Sequence, residues 1–246
     1  MPVRYTVACV FTAIYWPLGA TFIFFLSVVS IPFVRGNARR ALGQKTIGVL
    51  LGGYMNFLEA LGLIIVHDDE LKRNAHMSGP LLIACNHPAL WDAPLVIRRL
   101  LRVSCIMKAE LLENPLLRHG ALFAGFLPNA PRLTMVRKGV ERLSQGGRLL
   151  LFPEGTRTRR ANGVINPFRP GLALLAKQSG APVLPVFISL NSCYLQKGWP
   201  IWRMPEFPIS IAIRVGEMQL AQPGERVRDF SQRLEEVFRE GLHQGN

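Results

Sequence analysis

From Tyr5 to Val34 the chain carries thirty consecutive residues without an Asp, Glu, Lys or Arg. Such a run has two physical outlets, a lipid bilayer or the interior of a protein large enough to surround it. As one helix it would be about 45 Å long at ~1.5 Å per residue, more than the ~30 Å hydrocarbon core of a bilayer. The sequence therefore predicts either a single tilted span or a hydrophobic helix broken near Trp16-Pro17-Leu18-Gly19. A cleavable signal peptide fits poorly, because only Arg4 precedes the run and the run overshoots a signal-peptide core. Core helices of a soluble bundle are the competing reading, but thirty uncharged residues exceed what a core helix needs.

Arg35, Arg39, Arg40 and Lys45 follow at once. For a spanning helix, the positive-inside rule places this flank and the rest of the chain in the cytoplasm. Residues Ala38 to Leu61 read as a second helix, apolar but studded with glycine, suited to lying in the interface against the first. The chain thus divides into a hydrophobic two-helix membrane anchor over residues 1–60 and an α/β domain over residues 61–246. Hydrophobic residues make up 49% of the whole, which excludes intrinsic disorder. A net charge of +13 exceeds what solubility requires and implies an anionic partner: nucleic acid, an acidic membrane surface, or an anionic substrate or carrier. Beside an apolar N-terminal segment, anionic membrane lipid is the favoured partner and nucleic acid is not expected. Cys9, Cys85, Cys105 and Cys193 lie far apart in apolar runs, with no Cys-x-x-Cys and no Cys/His cluster at metal spacing. They read as reduced, buried thiols in a cytoplasmic setting, and no metal site is expected.

Beyond residue 61 short apolar runs alternate with helical stretches. Leu61–Val66, Pro80–Cys85, Val103–Met107, Leu122–Leu127, Arg148–Phe152, Val183–Ile188 and Ile209–Val215 read as strands. Helices are predicted near Ala93–Leu101, Glu110–His119, Thr134–Ser144, Pro170–Gly180 and Val227–Leu242. This alternation predicts an α/β fold with a mostly parallel or mixed seven-strand sheet flanked by helices. Pro182, Pro185, Pro205 and Pro208 punctuate the later strands, so some of these are expected to be edges or shorter than these ranges. Asn191–Pro208, with Trp199 and Trp202, reads as a long surface loop. Arg98, Arg99 and Arg102 are expected at a helix end facing the membrane surface.

Two constellations carry chemistry. Asn86-His87-Pro88-Ala89-Leu90-Trp91-Asp92 directly follows an apolar strand. A strand ending there presents His87 at its C-terminal lip, where α/β sheets place their sites. The turn after Pro88 can bring the Asp92 carboxylate to one imidazole nitrogen and leave the other facing substrate. A His–Asp pair without an adjacent Ser or Cys suits direct activation of an incoming hydroxyl. The competing reading of Asp92 is a plain helix N-cap. Phe152-Pro153-Glu154-Gly155-Thr156-Arg157 likewise follows a strand. Gly155 allows close backbone approach, Arg157 can clamp a phosphate bidentately, and Glu154 can orient the acceptor or Arg157. Alone, this stretch would read as a polar turn. The following Arg157-Thr158-Arg159-Arg160, with Arg169, favours phosphate or an acidic carrier, or forms a solvated loop.

In this order and separation the two motifs resemble the glycerolipid acyltransferase family, which includes 1-acylglycerol-3-phosphate acyltransferases. The N-H-x4-D block is matched by Asn86, His87 and Asp92, and the F-P-E-G-T-R block residue for residue by Phe152 to Arg157. Ala181-Pro182-Val183-Leu184-Pro185-Val186 matches an apolar block with prolines, and the resemblance covers about Pro80 to Leu190. It implies transfer of an acyl chain from acyl-CoA or acyl carrier protein to a lysolipid hydroxyl, with His87 as general base and Asp92 as its partner. It further implies Asn86, Arg132, Glu154, Gly155, Thr156 and Arg157 around the substrates, with no metal, no cofactor and no covalent intermediate. The hydrophobic N-terminus resembles that of bacterial members, so the cytoplasmic face of an inner membrane is the expected location. One block departs. The family shows G-x-I-x-x-x-R, whereas this chain reads Gly125-Phe126-Leu127-Pro128-Asn129-Ala130-Pro131-Arg132, with the arginine displaced by about one position. Either Arg132 serves from a shifted loop, making 1-acylglycerol-3-phosphate the acceptor, or the acceptor is another lysolipid such as lyso-ornithine lipid. A reading from a different class is a non-enzymatic, basic, membrane-anchored binding protein. Serine-hydrolase and nucleotide-binding readings fail, because G-x-S-x-G, G-x-G-x-x-G and the P-loop signature are missing.

Overall fold

Strands buried on both faces need a helical layer on each side, and the computed structural model has that arrangement. It describes residues 2–100, 102–159, 164–200 and 203–243. Among these, seven strands form one sheet: β1 (Ile64–His67), β2 (Leu81–Cys85), β3 (Val103–Met107), β4 (Leu127–Pro128), β5 (Arg148–Leu151), β6 (Val183–Leu190) and β7 (Ile209–Val215). Their order is β1-β7-β6-β2-β5-β3-β4. Strands β2 to β6 run parallel, while β7 is antiparallel to β6 and carries β1 parallel to itself. The sheet is therefore mixed, with β2 and β5 side by side at its centre.

The strand period of two sorts side chains between the layers. From β2, Leu81, Ile83 and Cys85 enter one core and Leu82 and Ala84 the other. The first core is closed by α2 (Gly36–Ala60) and α4 (Asp92–Ile97). The second is closed by α6 (Arg132–Ser144), α7 (Gly171–Ser179) and α8 (Val227–His243). On α8 the buried Phe230, Leu234, Phe238 and Leu242 recur every fourth residue, the stripe an amphipathic helix turns inward. A short α3 (Asp69–Asn74) follows β1.

Three expectations need correction. Leu122–Leu127 is not a strand. Its first residues complete α5 (Pro115–Phe123), which closes the sheet edge, and only Leu127 and Pro128 pair with β3. Pro185 lies in an interior strand rather than at an edge. Its carbonyl accepts from Gly216 N just beyond the end of β7, so its missing N–H falls where that ladder has already stopped. Arg98 ends α4, but it and Arg99 are spent on the domain: both bind the fully buried Asp68, at 3.0 and 2.6 Å, and Arg98 also reaches Glu59 at 2.7 Å. Residues 191–200 and 203–208 do form the loop between β6 and β7, while Trp202, Leu101 and Arg160 lie outside the described residues.

The N-terminal helices are not an anchor of two equivalent parts. α1 (Pro2–Val29) continues unbroken through Pro17 and, among the described residues, is the helix long and apolar enough to cross a membrane. Val3, Val7, Val10, Ile14, Leu18, Phe22, Phe25 and Val29, about one per turn, form an exposed apolar stripe along its whole length. α2 instead belongs to the domain. Met55 and Leu58 are buried in the first core, worth roughly 2 kcal/mol each. Gly43 passes so close to α5 that a Cβ there would lie 2.6 Å from the Phe123 carbonyl carbon. α1 lies antiparallel on α2: Phe11 stacks on Phe57 at 3.8 Å, Tyr15 donates to the Leu50 carbonyl at 2.7 Å, and Arg39 donates to the Ser27 carbonyl at 2.6 Å.

Candidate active site

The central strands β2 and β5 pair in parallel with Ala84 opposite Leu151. Extending that register three residues past both C-termini sets His87 opposite Glu154, so both motifs emerge at one edge of the sheet. There the His87 N–H donates to Glu154 Oε1 at 2.8 Å. After His87 the chain turns through Pro88–Trp91 and enters α4 at Asp92, which swings the carboxylate back. Asp92 Oδ2 lies 2.8 Å from His87 Nδ1 and also accepts from the Ala89 N–H at 2.8 Å. With Nδ1 engaged, Nε2 is the nitrogen left for a substrate. The Phe152 ring stacks on the imidazole at 4.2 Å and fixes its plane.

Asp92 is fully buried, and its Oδ1 has no partner among the described residues. Desolvation therefore pushes its carboxyl up to about 6, while the hydrogen bond and charge of His87 and the Ala89 N–H pull the other way.

The residues named from sequence separate into two groups. His87, Arg132, Gly155, Thr156 and Arg157 line one cleft of about 720 Å³. Asn86, Asp92 and Glu154 stand behind it. Asn86 is buried and bridges β2 to β6, donating to the Ile188 carbonyl at 2.8 Å and accepting from the Ile188 N–H at 2.7 Å. Glu154, 2% exposed, accepts from the N–H groups of His87 and Asn166 and from the Thr158 hydroxyl, all within 2.9 Å. Its carboxylate is engaged by these donors, and Arg157 is not among them. Arg157 instead donates to the Leu195 carbonyl at 2.8 Å and weakly to that of Gln196, tying the β6–β7 loop over the cleft. Gly155 sits at φ +67°, and a Cβ there would lie 2.6 Å from Arg169 Nε, so only glycine lets this turn and Arg169 meet. Two peptide N–H groups at these strand ends already have partners: His87 N donates to Glu154 and Gly155 N to the Phe152 carbonyl.

Two cleft residues escaped the sequence reading. Lys108 follows β3, and Lys197 hangs from the β6–β7 loop with its ammonium 3.2 Å from the Thr156 hydroxyl. A lysine after a strand is weak evidence, and no spacing connects residue 197 to residue 156. Together with Arg132, Arg157 and Arg169 they make five cations, against Glu110 as the acidic residue of the same lining. Partial desolvation, then Arg159, Lys108 and Arg157, hold the Lys197 ammonium below its ordinary value. The same lining includes the apolar Leu90, Ile106, Met107, Leu111, Met135 and Leu172. Such a cleft suits a molecule with an anionic head and a hydrocarbon tail.

A mixed α/β sandwich that sets a buried-aspartate, cleft-facing histidine pair beside a strand-end Glu-Gly-Thr-Arg loop defines a class, and this chain belongs to the Acyltransferase family. The family model matches residues 64–189, just over half of the chain and all of the catalytic motifs. Among curated proteins, the chain is 29% identical over 166 residues to a 1-acyl-sn-glycerol-3-phosphate acyltransferase of Pseudomonas aeruginosa, covering 63% of this chain and 61% of that protein. It is 27% identical over 146 residues to a protein of the same name from Saccharomyces cerevisiae, covering 56% and 46%. A lyso-ornithine lipid O-acyltransferase of Pseudomonas aeruginosa is 31% identical over 137 residues, covering 51% and 48%. The chain thus spans about half to three fifths of the length of the curated relatives it matches. The crystal structure of the 1-acyl-sn-glycerophosphate (LPA) acyltransferase PlsC from Thermotoga maritima has the same fold, with a TM-score of 0.72 at 21% identity over 98% of this chain and 95% of that one.

Proposed function

We propose that this chain transfers a fatty acyl group from a thioester, acyl-CoA or acyl carrier protein, to the hydroxyl of a lysolipid, with 1-acylglycerol-3-phosphate as acceptor and phosphatidate as product. The observation that carries the reading is the His87–Asp92 pair, 2.8 Å apart, opening onto a cleft lined by five cations and by apolar side chains. The acceptor oxygen attacks the thioester carbonyl while His87 Nε2 takes its proton. Asp92 holds the tautomer and stabilises the imidazolium. Collapse of the tetrahedral intermediate breaks the C–S bond, and the leaving thiolate takes the proton back from His87. Arg132, Arg157, Lys108, Lys197 and Arg169 hold the acceptor phosphate and offset the charge on the oxyanion. Asn86 and Glu154 are positioning residues: they hold the strand ends from which His87 projects.

The relative named for lyso-ornithine lipid supports a second acceptor, as does the displaced arginine of the second block. Removal of Arg132 separates the two, because it cripples use of a phosphate acceptor and spares an acceptor without phosphate. The number of cleft cations favours phosphate.

Attachment to the membrane follows from α1. Its outer stripe is apolar from end to end, while its inner side rests on α2, whose far side is domain core. An α1 perpendicular to the bilayer would carry the charged domain into hydrocarbon, at several kcal/mol per charge. α1 therefore lies in the plane of the interface, on the cytoplasmic leaflet, and the cleft opens beside it. Anionic lipid is its attraction and nucleic acid has no part in the reading.

The test offers detergent-solubilised protein a panel of lysolipids with acyl-CoA and with acyl carrier protein, wild type beside His87→Ala. Transfer is expected with the wild type, and a loss of about 10²- to 10⁴-fold in the variant. Absence of transfer to any acceptor, under conditions where the Thermotoga relative works, would overturn the enzyme reading. A variant with undiminished function would favour the binding-protein class instead.

A further inference from the structure

A second basic concavity opens at the start of β4, beside the C-terminal half of α6. It encloses about 550 Å³ between the start of α2, the α5–β4 turn and the C-terminal half of α6, with Arg40, Lys138 and Arg142 on its walls. An adjoining recess of about 250 Å³ carries the lining on to Arg102 and Arg148. It shares no lining residue with the reaction cleft.

Its charge is concentrated. Glu141 is the acidic residue of the lining, and among the described residues it makes no ion pair within 4.0 Å with Arg40, Lys138 or Arg142. Arg40 and Arg142 spend one nitrogen each on neutral partners, Asn37 at 2.9 Å and Ser104 at 3.1 Å. Burial first, then Arg40, pull Arg142 down to about 10, with Glu141 acting the other way, so both guanidiniums are charged at neutral pH. Gly125, at φ +66°, lets them converge: a Cβ there would sit 2.8 Å from Arg40 Cδ and 3.0 Å from Arg142 Nη1. One wall is apolar. Leu122 lines the cavity and is 55% exposed, and Gly36 joins it to the end of α1, where Val29 and Phe33 are exposed.

We propose that this concavity is a second lipid site, separate from the reaction cleft, which takes the phosphate of an anionic phospholipid of the membrane. The headgroup lies between Arg40, Lys138 and Arg142, and the acyl chains run over Leu122 toward the tip of α1. Converging guanidiniums match the geometry of phosphate oxygens, and the apolar wall selects a lipid over a soluble anion. Only the membrane setting is taken from the functional reading above. Bound lipid holds this part of the domain on the surface while α1 holds its flank.

The test measures binding of the full chain to vesicles of phosphatidylcholine with and without phosphatidylglycerol. Arg40→Gln/Arg142→Gln is compared with Arg137→Gln/Arg228→Gln, which removes the same charge from exposed positions outside the cavity. The cavity pair is expected to lose about tenfold more of the phosphatidylglycerol preference than the control pair, with binding to phosphatidylcholine alone unchanged. Equal losses would overturn the site and leave only general surface charge. Release of wild type from the vesicles by inorganic phosphate at constant ionic strength would overturn the lipid assignment in favour of a free anion. Should removal of the half-buried Arg142 unfold the chain, Arg40→Gln/Lys138→Gln carries the same comparison. Acyl transfer in detergent micelles is read separately and is unchanged in the cavity variants. Its absence in wild type would sink the enzyme reading while the vesicle result still decides this one.

Discussion

Asp92 accepts from Ala89 N–H and pairs with His87 through one oxygen, and buries the other without a partner. The carboxyl reaches about 6 because burial outweighs those two contacts. An ionised Asp92 is what orients the imidazole, so kcat/KM is expected to fall as pH drops through about 6, with stopped assays across pH 5 to 8 as the measurement. Stability runs the other way for this group. Its carboxyl rises from an ordinary ~3.9 to about 6, so it favours the fold at low pH, and that contribution is lost as pH rises through the interval. Asp92→Asn is therefore expected to cost about 10²-fold or more in kcat while the melting temperature at neutral pH moves by only a few degrees. A melt and a rate on the same preparation check it; loss of both together would make Asp92 a structural cap. The His–Asp contact was readable from spacing, because five residues of turn bring the two side chains together whatever the rest of the chain does. The role of Glu154 was not. Its carboxylate serves His87 N and Asn166 N rather than Arg157, and those partners come from a neighbouring strand end and a later loop.

At the scale of elements, the site depends on β2 and β6 keeping their strand ends level. Asn86 does this with its side-chain amide, which continues the ladder for one step past Cys85 by pairing both backbone groups of Ile188. Asn86→Ala leaves a buried N–H and a buried carbonyl without partners, so a loss of roughly 2–4 kcal/mol is expected in denaturant titration. A variant as stable as wild type, yet impaired in KM, would mean that Asn86 acts on substrate instead. Strand type and order of occurrence were largely evident from short apolar runs. The failures have a common cause: Leu122–Leu127 is as apolar as a strand, but its first half completes the helix closing the sheet edge. Likewise Pro185 tolerates an interior strand only because the neighbouring ladder ends beside it. Apolarity reports burial, and several elements can bury the same residues.

For the whole molecule, the decisive packing is α1 on α2. Because α2 is part of the domain core, α1 is tied to the domain along most of its length rather than joined to it at one end. Cysteines placed at Val3 and Phe33, in a background lacking the native thiols at 9 and 193, are expected to react with an impermeant reagent from the same side of sealed vesicles. Labelling from opposite sides would mean that α1 crosses the bilayer. The sequence by itself determined the His87–Asp92 contact and the apolar segment, because both are properties of contiguous residues: a short turn after a strand, and thirty residues with no charge. Only the tertiary structure decided that α2 packs into the domain core, that Lys108 and Lys197 join Arg132 and Arg157 in one cleft, and that Arg40 and Arg142 converge in another. Those outcomes rest on contacts between residues far apart in the chain, which hydrophobic packing of the two layers on the sheet selects and no local spacing records.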